Sequence, residues 1–299
     1  MEKIGLKNQK RVLITGADGF IGQALYKRMI KSKQWKCFLC TEHKLANVRC
    51  PAFKCDLRDP GQTERLINKI DPRYIVHLAA VTPQASMDTR SLMLSNIKMT
   101  SNILSSVHNM PIKRIVHVGT VQEYSKSGYS ETCKSSPNNA YTASKVRSMD
   151  MIAKSGVPFV HLRFSVVYGP GQNRNFFIPS MFHAAANEME LKTTDGFQKR
   201  DFIYIDDAVR AILLALSSQK LSGAEIINIA LGRSHTLRQT AGIFARATGK
   251  QADIKWGAKQ YQKNETFKLK IPVSKAKRML GFSPKVNLEQ GLRKMNRSS

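Results

Sequence analysis

Apolar residues recur along the first half of the chain in two alternating rhythms. Short runs of aliphatic and β-branched residues (Arg11 to Thr15, Cys37 to Cys40, Tyr74 to Leu78, Arg114 to Val118, Phe159 to Arg163) have the length of buried strands. Between them, apolar positions repeat at helical spacing, as with Ile21, Leu25 and Met29 within Phe20 to Ile30. The pattern predicts further helices over Thr63 to Ile70, Met93 to Val107 and Ala140 to Lys154, the last closed by Gly156. Strands separated by helices predict parallel pairing, because a parallel crossover needs a connecting element of that size.

After about Ser165 the rhythm loosens. Tyr168-Gly169-Pro170-Gly171 reads as a turn and Phe202 to Ile205 as a short strand, with Asp206-Asp207 placed to cap a helix over Ala208 to Leu216. Thr236 and Gln239 match a capping box before a helix ending at Gly249, and Ser274 is placed to cap a last short helix closed by Gly281. The reading is an α/β protein with two domains: residues 1–165 binding a nucleotide, with part of 200–235 returning to them, and residues 166–299 forming a smaller, interleaved substrate domain.

Composition adds constraints. With 299 residues, 42% hydrophobic and 23% charged, the chain is long enough for a sizeable core and is not disordered. Its longest aliphatic stretch, Ala211 to Leu216, is far short of a membrane span, and no signal-peptide core stands at the start, so a cytoplasmic location is expected. The 48 Lys and Arg against 21 Asp and Glu give a formal charge of +27, a field that attracts polyanions. The basic residues are scattered, which favours a solvated surface over a nucleic-acid groove. Cys37, Cys40, Cys50 and Cys55 fall close together, but residues three apart on a strand face opposite sides, so they read as buried thiols, not metal ligands.

Chemistry begins at Gly16-Ala17-Asp18-Gly19-Phe20-Ile21-Gly22, between the first strand and the first helix. Gly16 suits a tight turn, Gly19 lets backbone approach a pyrophosphate, and Gly22 lets helix and sheet pack closely; the helix N-terminus supplies amide donors. At the end of the second strand, where a carboxylate reads a free ribose 2′-hydroxyl, stand Thr41, Glu42, His43 and Lys44. His43 and Lys44 suit a 2′-phosphate and lean the reading to NADP; a one-residue shift puts Glu42 in the carboxylate's place and keeps NAD open. Further on, Tyr141 and Lys145 are four apart on one helix face, so the ammonium should draw the phenol toward proton exchange near neutrality. Thr120 brings a hydroxyl to the carboxyl end of the strand before it.

These features together resemble the extended short-chain dehydrogenase/reductases, the NAD(P)-dependent nucleotide-sugar epimerase/dehydratase family, over almost the whole chain. Thr15-Gly16 to Gly22 is similar to the family's TGxxGxxG, Asp56-Leu57 to its adenine-contacting pair, His77-Leu78-Ala79-Ala80 to the loop under the cofactor, and Tyr141 with Lys145 to YxxxK. Leu162-Arg163-Phe164, Tyr168 to Gly171, Arg200-Asp201-Phe202 and Ser274-Lys275-Ala276 with Leu280-Gly281 are further likenesses. The resemblance implies a Rossmann-type doubly wound sheet and a homodimer. It implies Tyr141 as general acid/base, Lys145 as the group that lowers its pKa and holds the nicotinamide ribose, and Thr120 as a hydrogen-bond donor to the reacting sugar oxygen. Arg200 would bind the substrate's diphosphate, and Val166 stands where the family often has a substrate-contacting asparagine.

Dehydratases usually carry acidic residues directly after the threonine. Here Val121 and Gln122 take those places and Glu123 comes one step late, so dehydration is disfavoured. The Gly119-Thr120…Glu123-Tyr124 segment is similar to 4-keto-6-deoxy sugar nucleotide reductases. The reading therefore puts reduction first, nucleotide-sugar epimerisation second, and a non-catalytic RNA-binding or regulatory relative third.

Overall fold

A computed structural model of the chain describes residues 9–298 apart from 44, 46–47, 84–87, 125–127 and 262–264. The elements run β1 (Lys10–Thr15), α1 (Phe20–Met29), β2 (Trp35–Thr41), β3 (Ala52–Lys54), α2 (Pro60–Ile70), β4 (Tyr74–His77), α3 (Thr89–Ser106), β5 (Arg114–Thr120), a 3₁₀ turn (Val121–Glu123), α4 (Ala140–Lys154) and β6 (Phe159–Phe164). There follow β7 (Val166–Tyr168), α5 (Phe177–Asn187), β8 (Leu191–Lys192), β9 (Lys199–Tyr204), α6 (Ile205–Ser217), β10 (Ala224–Ile229), β11 (Ser234–Thr236), α7 (Leu237–Thr248), β12 (Ile254–Lys255), α8 (Ser274–Leu280) and α9 (Leu288–Asn296). No helix among the described residues is long and apolar enough to cross a membrane.

The chain divides into two compact units, the first comprising β1 to the 3₁₀ turn, Lys134–Arg163 and Ile212–Ile227. Its centre is a seven-stranded sheet in the order β10-β6-β5-β4-β1-β2-β3, parallel through β3-β2-β1-β4-β5, with β1 pairing β2 on one side and β4 on the other. That crossover is the doubly wound arrangement, and it puts the ends of β1, β4 and β5 side by side. Leu13, Ile75 and Ile115 from these strands pack with Leu66, Ile67 and Ile70 of α2 and with Met99 and Ile103 of α3 in one apolar cluster. Cys40 joins Cys55 in that cluster, whereas Cys37 lies near Cys50, as expected of residues on opposite strand faces. The returning segment is pinned by Arg114, whose guanidinium donates to the carbonyls of Ala215 (2.6 Å), Ser218 (3.0 Å) and Leu221 (2.9 Å) at the end of α6. There β10 becomes the edge strand next to β6.

The second unit holds residues 128–133, Phe164–Ala211 and the chain from Asn228 onward. It contains a three-stranded sheet, β11-β9-β7, and the pair β8–β12. Two cap expectations are corrected here. The helix α6 starts at Ile205, so Asp206 and Asp207 lie in its first turn; Asp207 instead accepts from Arg210 (2.7 Å) and from the backbone N–H groups of Lys285 (2.8 Å) and Val286 (2.9 Å). Ser274 is the first residue of α8, and Val273 precedes it with no side-chain cap. The capping box of α7 forms as read, with Gly249 left-handed at its end.

Candidate active site

The turn after β1 is shaped by what its glycines leave out. Gly16 has φ +62°, and a Cβ there would stand 2.7 Å from the backbone nitrogen of Ala79. A Cβ on Gly22 would stand 2.2 Å from the Gly16 carbonyl oxygen. The turn therefore lies backbone to backbone against the loop 78–80 after β4. Thr15 ties the two together: its hydroxyl accepts from the Ala79 N–H (3.2 Å) and lies 2.8 Å from Nδ1 of His77. Gly19 caps α1 without a side chain, and Phe20, Ile21 and the rest of the first turn bring no carboxylate, so within the helix nothing acidic competes for the N-terminal amides; Asp18 stands in the turn just before them. This narrow cradle of glycine backbone fits a dinucleotide pyrophosphate. Leu78, Ala79 and Ala80 are half-buried beside it.

At the end of β2, Thr41 is buried and its hydroxyl donates to the carbonyl of His43. Glu42 follows, paired with Arg58 (2.6 Å), which also binds Asp56 (2.8 Å). Hydrogen bonds from Arg58 hold the Asp56 carboxyl below its ordinary range. The side chain of Leu57 belongs to the core cluster, so only its backbone is available to a ligand. His43 is exposed, and Lys44 lies outside the described residues.

The third component stands on β5 and α4. Asn139 caps α4 by accepting from the Thr142 N–H (2.9 Å), which places Tyr141 and Lys145 in the first two turns. Lys145 is buried, with its Nζ 5.8 Å from the centre of the Tyr141 ring. Since α4 packs against β5 and the 3₁₀ turn, these groups lie on the element beside Thr120. The Thr120 hydroxyl accepts from the Gln122 N–H (3.2 Å) and retains its own proton to donate. Thr120, Tyr141, Lys145 and the cradle thus belong to one unit, at the carboxyl ends of neighbouring strands.

Electrostatics correct the simple reading of the Tyr-Lys pair. Burial, reinforced by the negative charge of Glu123, pushes the Tyr141 phenol up to about 12, while burial draws Lys145 down to about 8. In the chain by itself burial and Glu123 favour the neutral phenol, above the near-neutral range that the Tyr-Lys spacing implied.

Sequence reasoning passed over the residues that hold this arrangement. Asn96 of α3 donates to Ser144 (2.9 Å) of α4 and binds Val81 through both its N–H and its carbonyl, which clamps the loop after β4. Its signal was available: a polar residue in the buried stripe Leu92, Asn96, Met99, Ile103. Across the sheet run three buried histidines, with ring centres 5.5 Å apart for His77 and His117 and 4.9 Å apart for His117 and His161. The last of them ends on Glu123, whose Oε2 accepts from His161 Nε2 and Arg163 Nε, both at 2.8 Å, while Oε1 accepts from the Thr120 N–H at 2.8 Å.

In the second unit, Phe164 is buried at the end of β6 and Val166 is half-buried in β7. Arg200, at the start of β9, donates to Glu265 (2.7 Å). An anionic ligand would take that guanidinium in exchange for a carboxylate.

The family model described as "NAD dependent epimerase/dehydratase family" matches residues 12–230. The chain is 26% identical to a putative UDP-glucose 4-epimerase of Methanocaldococcus jannaschii, over 95% of this chain and 96% of the relative. It is 28% identical to the GDP-6-deoxy-D-talose 4-dehydrogenase of Aggregatibacter actinomycetemcomitans, over 82% of each. Among solved structures, the UDP-glucuronic acid 4-epimerase of Bacillus cereus in complex with UDP-glucuronic acid and NAD superposes with a TM-score of 0.87 at 24% identity, covering 96% of this chain and 98% of that one. The glycine cradle, the Tyr-Lys helix and these likenesses converge: the chain is an enzyme of the NAD dependent epimerase/dehydratase family.

Proposed function

We propose that the protein moves a hydride at a sugar carbon of a nucleotide-activated sugar, and that it acts as a 4-epimerase. The carrying observation is that Thr120, Tyr141 and Lys145 share one unit with a cradle of glycine backbone. Bound in that cradle, a nicotinamide dinucleotide supplies the hydride acceptor and donor. In the oxidising half Tyr141, as phenolate, takes the proton of the sugar hydroxyl as the hydride leaves the carbon, and in the reducing half it returns that proton to the ketone oxygen; Thr120 donates to the same oxygen and orients it, and Lys145 balances the phenolate charge. Arg200, which the family resemblance implies for the diphosphate, would exchange Glu265 for it in a charge-assisted contact.

The likenesses to 4-epimerases favour epimerisation over the reduction that the sequence reading put first. Net reduction of a 4-keto sugar nucleotide stays as the second reading, because burial, and after it the Glu123 charge, favours the neutral phenol, the state that donates to a ketone oxygen. Dehydration is disfavoured because both oxygens of Glu123 are already engaged. NAD is favoured over NADP by Glu42, the carboxylate directly after the end of β2, although Arg58 pairs with it and with Asp56 after β3. A homodimer is the assembly that the family resemblance implies.

The test is a panel. UDP-glucose and UDP-glucuronic acid are incubated with the protein and NAD, and 4-keto-6-deoxy sugar nucleotides with NADH or NADPH. Interconversion of 4-epimers with no net change in reduced cofactor supports the main reading. Stoichiometric consumption of reduced cofactor moves the assignment to the reductase, and no turnover in either arm overturns both.

A further inference from the structure

Glu123 is outside the triad, yet it touches or influences every member of it. Its side chain has no exposed surface. Burial by itself would raise such a carboxyl, but His161, Arg163 and the Thr120 N–H bring it to about 2, so it is a fixed anion. The space around it is made by absence: a Cβ on Gly119 would stand 2.1 Å from Glu123 Oε1 and 2.4 Å from Cε1 of His161. Arg163 is held in turn by Ser135 (2.5 Å) and by the ring of Tyr124, 4.2 Å from the guanidinium carbon. A wholly buried ion pair costs several kcal/mol per ion in desolvation, and an apolar pair of the same volume is often the more stable choice. Stability therefore does not explain the pair.

We propose that Glu123, anchored by His161 and Arg163, is a positioning residue of the reaction: it sets the Thr120 end of β5 and supplies the fixed negative charge against which Tyr141 and Lys145 work. The inference rests on Tyr141 being the acid/base. The groups facing Glu123 are Thr120 from β5, His161 and Arg163 from β6, and Tyr141 and Lys145 from α4, with His117 behind His161. Of these, the phenol is the group that an anion holds in its neutral form, and the direction for Tyr141 agrees. In this arrangement the phenol holds its proton more tightly than it would without the Glu123 charge.

The test needs no sugar substrate, so it stands apart from the panel above. Phenolate absorbance is followed within milliseconds of a pH jump, and the Tyr141 component is taken as the difference from Tyr141→Phe. In Glu123→Gln this component should titrate about one pH unit lower, as expected for loss of a nearby like charge, while NADH binding, read by fluorescence, stays within about twofold. Because Glu123→Gln leaves Arg163 buried without its anion, the double variant Glu123→Gln/Arg163→Leu is run beside it and should show the same downward shift. An unmoved Tyr141 titration in either folded variant overturns the proposal. So does a double variant that cannot fold, because Glu123 is then scaffold alone.

Discussion

The sharpest mechanical prediction concerns Gly119, whose backbone needs no left-handed geometry and which is a glycine for reasons of space. Placing a methyl there puts carbon 2.1 Å from a carboxylate oxygen and 2.4 Å from an imidazole carbon. Non-bonded carbons rest ~3.5–4.0 Å apart, so the Glu123 carboxylate must withdraw by about 1 Å or more. A movement of that size carries its hydrogen bonds, each 2.8 Å long, past the ~3.2 Å limit of a good bond. Breaking a buried ion pair costs roughly 3–5 kcal/mol, and in a chain this long each kcal/mol lowers Tm by about 2–4 °C. Gly119→Ala should therefore melt on the order of 10 °C below the parent and should lose the hold on Thr120. The comparison variant is Gly156→Ala: Gly156 has φ +75° and no neighbour within 4 Å of a Cβ, so it meets only the left-handed penalty of about 1–2 kcal/mol. Differential scanning calorimetry of the two decides the matter. If Gly119→Ala is no less stable than Gly156→Ala, the crowding around Glu123 is wrong.

Three further outcomes follow from the site. Tyr141→Phe should lose about 10²–10⁴ in turnover, the range of a missing general acid/base, with NADH affinity retained by titration; near-normal turnover would remove the phenol from the reaction. Gly16→Ala should weaken NADH binding at least about tenfold, because the methyl is driven into the Ala79 backbone and one factor of ten is about 1.4 kcal/mol; unchanged binding would put the dinucleotide elsewhere. Burial holds His77 at about 3, with Lys145 adding to the shift, so the unfolded chain binds more protons than the native one between that value and the ordinary histidine range. The stability from neutral His77 is present near neutrality and is lost as pH falls toward 3, with a slope of about 1.4 kcal/mol per pH unit. Urea unfolding at stepped pH should show the slope reduced in His77→Gln; an identical slope in that variant would refute the assignment.

What could be read from the sequence is what is local. Strands such as Tyr74–His77 and helices such as Ala140–Lys154 carry their own periodicity, and Gly16, Tyr141 and Lys145 sit in short spacings that need no third dimension. In contrast, β8 and β12 are two residues each, below any period. The helix α5 carries Pro179 in its first turn and no capping side chain, so its start is unmarked. The apolar run at Phe202 continues into Ile205 with no breaker, which hid the start of α6. The partners of Glu123 are 38 and 40 residues away and those of Asn96 on α4 are 48 away. No spacing rule reaches across two strands, so the polar scaffold of the site emerges only once the sheet is formed.

The edge strand β10 has a consequence for biosynthesis. When the ribosome has delivered the first 165 residues, six of the seven sheet strands exist, but β6 still presents an unpaired rim. The nascent chain must grow by some sixty residues before Arg114 can seize the end of α6 and the last strand can zip onto that rim. The seven-stranded sheet, begun first, is completed only after most of the chain has been translated.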